Sequence, residues 1–325
     1  MENAMLSGKT IVITGSSSGA GRAMALALAP YKPCLLLASR NKKALTETAD
    51  ECIALGAKAR VVVTDVTDTA AMAKLAQAAI DWQDKLDVWV NNAGVLAAGP
   101  FEETPMAVHK QVLMTNLLGY MNGAHAAVAI FKKQEYGTLI NNISIGGYLP
   151  VPYGGAYTAS KFGLRGFFEA LKGELAPWRN IHVCDLFPAF LDTPGLQHAA
   201  NYTGKVLKPI PPIYDPMLVA RAVVENVFLP RSTTCIGGTS VPLKIAHEVF
   251  PEWLTKGTGK IMRHYFDHAD GIQKNEGNVF ETVEYGMSTN GSTKHPATAR
   301  KKMLVTGVLA GLAFGLYLFR QGSKA

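Results

Sequence analysis

Cysteine is scarce in this chain. The four present, Cys34, Cys52, Cys184 and Cys235, form neither a CxxC pair nor a metal-ligand spacing. A disulfide-stapled scaffold and a zinc ribbon are thereby excluded. Cys34, Cys184 and Cys235 fall in apolar, strand-like runs, so buried free thiols in a reducing compartment are expected. Histidine offers no metal site either. His109, His125, His198 and His247 are scattered, and His264 and His268, although one helical turn apart, have no accompanying glutamate motif. No basic run is interleaved with aromatics, so nucleic acid is not expected as a partner. The opening MENAMLSGKT lacks a basic stretch followed by an apolar one, so no secretory leader is expected. No internal repeat is present.

What the chain does have is apolar content. Hydrophobic residues make up 48% of 325 and charged residues 18%, which suits one large core with appendages. The net charge of +7 is local. Lys294, Arg300, Lys301, Lys302, Arg320 and Lys324 supply six of the seven charges and no acidic residue offsets them, so the rest is nearly neutral.

Short apolar runs alternate with helical stretches. Strands are predicted at 10–15, 34–40, 60–66, 86–94, 137–144 and 181–187, with a last one at TTCIGG. Helices are predicted between them, one of them long, opening at Thr104 as N-cap with Pro105 at the first helical position and running toward Gln134. Continuously apolar strands separated by helices indicate an α/β, doubly wound parallel sheet, whose ligands bind beyond the carboxyl ends of the strands. The expected layout is a single catalytic domain over 1–242, a helical extension over 243–270 and a polar segment over 271–302, either a tether or draped on the surface. Residues 303–319 follow, MLVTGVLAGLAFGLYLF, uncharged and bracketed by Arg300-Lys301-Lys302 and Arg320. As a helix this run would be about 25 Å long at 1.5 Å per residue, against a hydrocarbon core of about 30 Å. Gly307, Gly311 and Gly315 share one face. It is expected to anchor the protein in a membrane, with the catalytic domain facing the cytoplasm.

The first predicted strand runs into TGSSSGAG, residues 14–21. Glycines there let the turn stay tight and let a pyrophosphate approach backbone N–H groups at a helix N-terminus. Further on come NNAG (91–94), Asn116, Ser144 and YTASK (157–161). Together these motifs resemble the short-chain dehydrogenase/reductase family, over roughly residues 7–240. The resemblance implies a Rossmann fold, a nicotinamide cofactor and a catalytic tetrad of Asn116, Ser144, Tyr157 and Lys161. It implies that Gly15, Ser17, Ser18, Gly19, Ala20 and Gly21 hold the cofactor's phosphates. Asp65 and Val66 then flank the adenine, and Asn92, Ala93, Gly94 and Thr193 lie along the dinucleotide, with Tyr157 and Lys161 at its nicotinamide end. It also implies a homo-oligomer, which a membrane tail would restrict to a dimer.

The chemistry of these residue types agrees. Carbonyl reduction needs a hydride at carbon and a proton at the developing alkoxide. A tyrosine phenol titrates near 10, and a lysine ammonium one turn away on the same helix face favours its ionised form. Ser144 can donate a hydrogen bond to the substrate oxygen. Sites that prefer NAD place a carboxylate after the second strand, whereas this chain reads Ala38-Ser39-Arg40-Asn41-Lys42-Lys43 there. Arg40 suits a ribose 2′-phosphate, so NADP(H) is expected. The family's frequent Pro-Gly after the sixth strand is Pro188-Ala189 here, and the added side chain is expected to narrow the pocket. Leu149, Val151, Tyr153, Phe190 and Leu191 predict an apolar carbonyl or alcohol substrate. The rival reading is a membrane-bound protein that binds NADP(H) for regulation without catalysis. Loss of a tetrad member would mark it, and none is lost.

Overall fold

The structure is a computed structural model that describes residues 6–209 and 211–291. The described residues form a seven-stranded parallel sheet: β1 (Thr10–Thr14), β2 (Cys34–Ser39), β3 (Lys58–Val63), β4 (Val88–Asn91), β5 (Gly137–Asn142), β6 (Ile181–Pro188) and β7 (Thr233–Ile236), in the order 3-2-1-4-5-6-7. Every residue of β1 and β4 is buried, because helices cover both faces and leave no solvated side to alternate toward.

On one face, α1 (Gly19–Leu28) packs against α7 (Met217–Phe228), with α2 (Lys42–Ala54) beside it. Their contact layer holds Ile11, Ile13, Met24, Leu28, Leu35, Leu45, Val219 and Val223. The other face carries α3 (Thr69–Gln83), α5 (Gly119–Gln134) and α6 (Gly155–Leu175), packed through Val12, Leu36, Met72, Leu75, Phe131, Leu164 and Phe168. Strand order reverses between β1 and β4, so the crevice expected of such sheets opens at their carboxyl ends. The cysteines are all free thiols, Cys34, Cys52 and Cys184 buried and Cys235 half-buried. Burial pushes the Cys52 and Cys184 thiols up to about 12, which keeps them unreactive.

Several local expectations change. The long helix after Thr104 is three pieces: α4 (Met106–Leu113), a π-helical turn (Met114–Leu118) and α5. Thr104 does not cap it, because its hydroxyl donates backward to the Pro100 carbonyl at 2.9 Å, and extended Pro105 takes the cap position. The 243–270 extension is two helices, α8 (Ser240–Val249) and α9 (Pro251–His268), broken at Phe250 by the proline that opens the second. No residue of α9 is buried.

Of the two readings of the polar segment, residues 271–291 take the draped one. They return over the domain and pair with Asn201 and Lys205. The apolar run 303–319 lies outside the described residues. Among the described residues no helix is long and apolar enough to cross a membrane.

Candidate active site

The glycine loop is shaped by what its backbone must avoid. Gly15 adopts φ +66°, and a Cβ there would stand 2.6 Å from the Ala93 Cα. A Cβ on Gly21 would collide with the Gly15 carbonyl and the Asn92 amide. The ends of β1 and β4 are laced together. Asn92 Nδ2 donates to the Thr14 and Gly15 carbonyls at 3.0 and 3.1 Å, and the Thr14 hydroxyl accepts from the Asn92 and Ala93 N–H groups. Asn92 therefore acts on the loop's shape. Ser17, Ser18, Gly19 and Ala20 border the crevice, as do Arg40, Asp65, Val66, Ala93, Gly94 and Thr193. The Asp65 carboxylate accepts from the Thr67 N–H and hydroxyl, at 2.9 and 2.8 Å. The half-buried Arg40 donates to two backbone carbonyls, Phe280 at 2.8 Å and Asn278 at 2.5 Å. Nothing in the local sequence around Arg40 signals these partners, which lie some 240 positions away.

At the other end of the crevice, Ser144, Tyr157 and Lys161 converge on Gly146. A Cβ on Gly146 would meet Tyr157 Cε1 at 3.1 Å, Ser144 Oγ at 3.5 Å and Lys161 Cγ at 3.7 Å. That glycine leaves the space in which the three side chains meet. Ser144 sits just past β5 at φ +104°, a conformation that is costly for a side-chain-bearing residue. Its Oγ accepts from the Gly146 N–H at 3.1 Å and shares a hydrogen bond with the Tyr157 phenol. The spacing of Tyr157 and Lys161 on α6 places the Lys161 Nζ 5.6 Å from the Tyr157 ring centroid and 5.1 Å from that of Tyr120.

Asn116 is fully buried in the π-helical turn. Its amide Nδ2 donates to the Val95 carbonyl and its Oδ1 accepts from the Val95 N–H, both at 2.8 Å, with a longer contact from Nδ2 to Ser160 Oγ at 3.4 Å. The side chain thus holds the loop after β4 and is not directed at the tyrosine. Such turns recur where a helix must present a residue out of phase.

Burial dominates the electrostatics. It pushes the Tyr157 phenol above its usual value, and the Ser144 hydrogen bond pulls it partly back. It pushes the Lys161 ammonium down to about 7. The influence expected of Lys161 on the phenol is therefore secondary to desolvation. Tyr120, which donates to the Asn142 carbonyl at 2.8 Å, is also raised, by burial first and then by Tyr157.

Between the two ends runs one continuous cavity of about 490 Å³. Leu149, Val151, Tyr153, Phe190 and Leu191 all line it, and α9 adds Met262, Tyr265 and Phe266, which sequence reading assigned only to an extension. Ala189 lines the cavity, and its side chain also lies against Gly237, where a Cβ would stand 3.0 Å from it; Gly237 takes φ +92°. The residues present fit a nicotinamide dinucleotide. Side chains are kept off the loop at Gly15 and Gly21, the Lys161 ammonium has no protein acceptor among the described residues, and the shielded Asn142 Oδ1 and Asn278 Oδ1 are unpartnered. Among the described residues no cluster of metal-ligating side chains occurs.

A profile of the short chain dehydrogenase family matches residues 9–202. The chain is 29% identical over 320 residues to the uncharacterized oxidoreductase YxnA of Bacillus subtilis, covering 94% of this chain and 89% of that protein. It is 35% identical over 186 residues to the 3-ketodihydrosphingosine reductase of Bacteroides thetaiotaomicron, covering 56% of this chain and 64% of that protein. Among solved structures, the alcohol dehydrogenase of the archaeon Thermococcus sibiricus, complexed with 5-hydroxy-NADP, superposes with a TM-score of 0.61 at 25% identity. That match covers 70% of this chain and 95% of the other.

Proposed function

The chain belongs to the short-chain dehydrogenase family, and on that premise we propose that it is an NADP(H)-dependent oxidoreductase interconverting an apolar carbonyl compound and its alcohol. The observation that carries this reading is the meeting of Ser144, Tyr157 and Lys161 around Gly146, at one end of a cavity whose other end is the glycine loop. When bound, the nicotinamide supplies or accepts the hydride.

The chain's own residues handle the proton. Burial keeps the Tyr157 phenol protonated at neutral pH, the state a proton donor to a developing alkoxide needs. The Ser144 hydroxyl, which leans its one proton on that phenol here, turns it to the developing alkoxide once a carbonyl compound is bound. Lys161 stands close enough to favour the phenolate left behind. Asn116 positions the loop after β4 through Val95.

The absence of a carboxylate after β2, with Arg40 at the cavity edge, supports NADP(H) over NAD(H). The apolar lining contributed by Phe190, Leu191, Met262 and Phe266 supports a hydrophobic substrate. So does the activity named for the Bacteroides relative. The uncharged run 303–319 with its basic flanks supports a membrane anchor with the catalytic domain on the cytoplasmic side, and such an anchor would restrict the oligomer common in this family to a dimer.

Turnover of a panel of apolar and small polar carbonyls with NADPH and NADH tests the reading. Apolar ketones or aldehydes with NADPH are expected to lead, and Tyr157→Phe to lower kcat/KM by about 10²–10⁴-fold. A strict preference for sugars would sink the substrate assignment. A clear preference for NADH would sink the role given to Arg40.

A further inference from the structure

Residues 271–291 return from the end of α9 to the cofactor crevice. The segment first pairs with the short stretch around Asn201, where the Asn201 and Asn275 N–H groups each donate to the other's carbonyl, at 2.8 and 3.1 Å. Val279 then plugs it into the domain, fully buried against Val95, Val108, Val112 and Ala200. From either side of that anchor the backbone reaches the rim of the crevice near the glycine loop and the end of β2. The Asn278 and Phe280 carbonyls accept from Arg40, the Val283 carbonyl from Asn41 Nδ2 at 3.1 Å, and the Met287 carbonyl from Arg22 at 2.7 Å. The Ser288 carbonyl accepts from the Gly19 N–H of the glycine loop at 2.9 Å, and the Gly291 N–H donates to the Asp192 carbonyl at 3.0 Å.

The path is specified by the segment's own residues. Gly277 and Gly286 both take positive φ, +53° and +67°, and at each a Cβ would run into His198 or its neighbour Ala199.

We infer that residues 278–291 form the outer wall of the dinucleotide site, enclosing the phosphate half of the cofactor and holding Arg40 in the orientation that selects a 2′-phosphate. This rests on the dinucleotide reading of the crevice given above. Two features separate a wall from a plug. A plug would fill the crevice; the Ser288 carbonyl takes the Gly19 N–H, yet the cavity of about 490 Å³ persists beneath the segment, bordered on this side by Thr282, Val283 and Met287. Second, the partners offered to Arg40 are neutral carbonyls. They fix the direction of two of its N–H bonds and leave its charge uncompensated for an anion.

The test compares the full chain, a chain ending at residue 291, a chain ending at residue 270, and Gly277→Val in the full chain. NADPH and NADH affinities are read by nucleotide fluorescence, and NADPH release by stopped-flow displacement. The chain ending at 291 is expected to match the full chain. The chain ending at 270 and Gly277→Val are expected to release NADPH about tenfold faster or more, and to lose much of their preference over NADH. Gly277→Val keeps every residue of the wall, so it answers if the shorter chain fails to fold. Release rates within about twofold of the full chain, or tighter binding once the segment is dislodged, would overturn the wall while leaving the dinucleotide reading intact. A full chain that binds neither nucleotide would overturn both.

Discussion

At the scale of single residues, Lys161 carries the sharpest consequence. It is 5% exposed, and burial holds its ammonium near 7 in the folded protein against an ordinary value of 10.5. Between those two values the unfolded chain binds more protons than the folded one, so this group makes stability rise with pH across that window. Below it both states are charged and the folded protein bears the full cost of burying the ammonium. Lys161→Met should therefore be more stable than the parent at and below neutral pH, by several degrees in Tm. The advantage should fade as pH rises toward 10.5. The same variant should lose activity by about 10²-fold or more. Thermal melts of both proteins across this range check the first part, and parallel Tm profiles would contradict it. The residue pattern Tyr157-x-x-x-Lys161 was legible in sequence because its spacing is local. The degree of desolvation was not, since Tyr120 and Gly146 approach from other elements.

At the scale of elements, the contact between α5 and the sheet depends on one missing side chain. A Cβ at Gly123 would strike the Asn91 carboxamide oxygen and stand 2.8 Å from the Trp89 indole nitrogen. Asn91 belongs to a buried polar chain across three strands. It accepts from Trp89 at 2.8 Å and donates to Asn141 at 3.0 Å, Asn141 donates to Asp185 at 3.0 Å, and Lys172 reaches Asp185 at 2.6 Å. Gly123→Ala should force the helix outward or break this chain, lowering stability by about 1–3 kcal/mol. A urea titration reads that as a lower midpoint, and an unchanged midpoint would refute the packing account. Strand and helix alternation told in advance which elements exist, because continuous apolar runs and 3.6-residue periodicity are properties of neighbouring residues. The π-helical turn that carries Asn116 and the break between α8 and α9 were not foreseen. The first carries the Asn116 side chain to the Val95 backbone, a contact made across the fold, and the second follows a single proline in an otherwise helical pattern.

At the scale of the whole molecule, removing residues 292–325 should leave a chain that still turns over substrate but moves from the membrane pellet to the supernatant. Fractionation followed by an activity assay of each fraction checks this, and a truncated chain that stays in the pellet would refute the anchor. Sequence by itself determined the parallel sheet, the order of strands and helices, the glycine loop and the four-residue spacing of Tyr157 and Lys161. Each of these is encoded by residues close together in the chain, where propensity and spacing act directly, whereas Asn116 and Ser144 stood out only through the resemblance to a family. Only the tertiary structure decided what surrounds them: that α9 walls the apolar end of the cavity, that Asn116 is directed at Val95, and that residues 278–291 lie across the phosphate side with Arg40 in their grip. Those contacts join positions up to about 270 residues apart. They are made by backbone carbonyls and by the shape left around Gly277 and Gly286, neither of which has a signature in the amino-acid pattern.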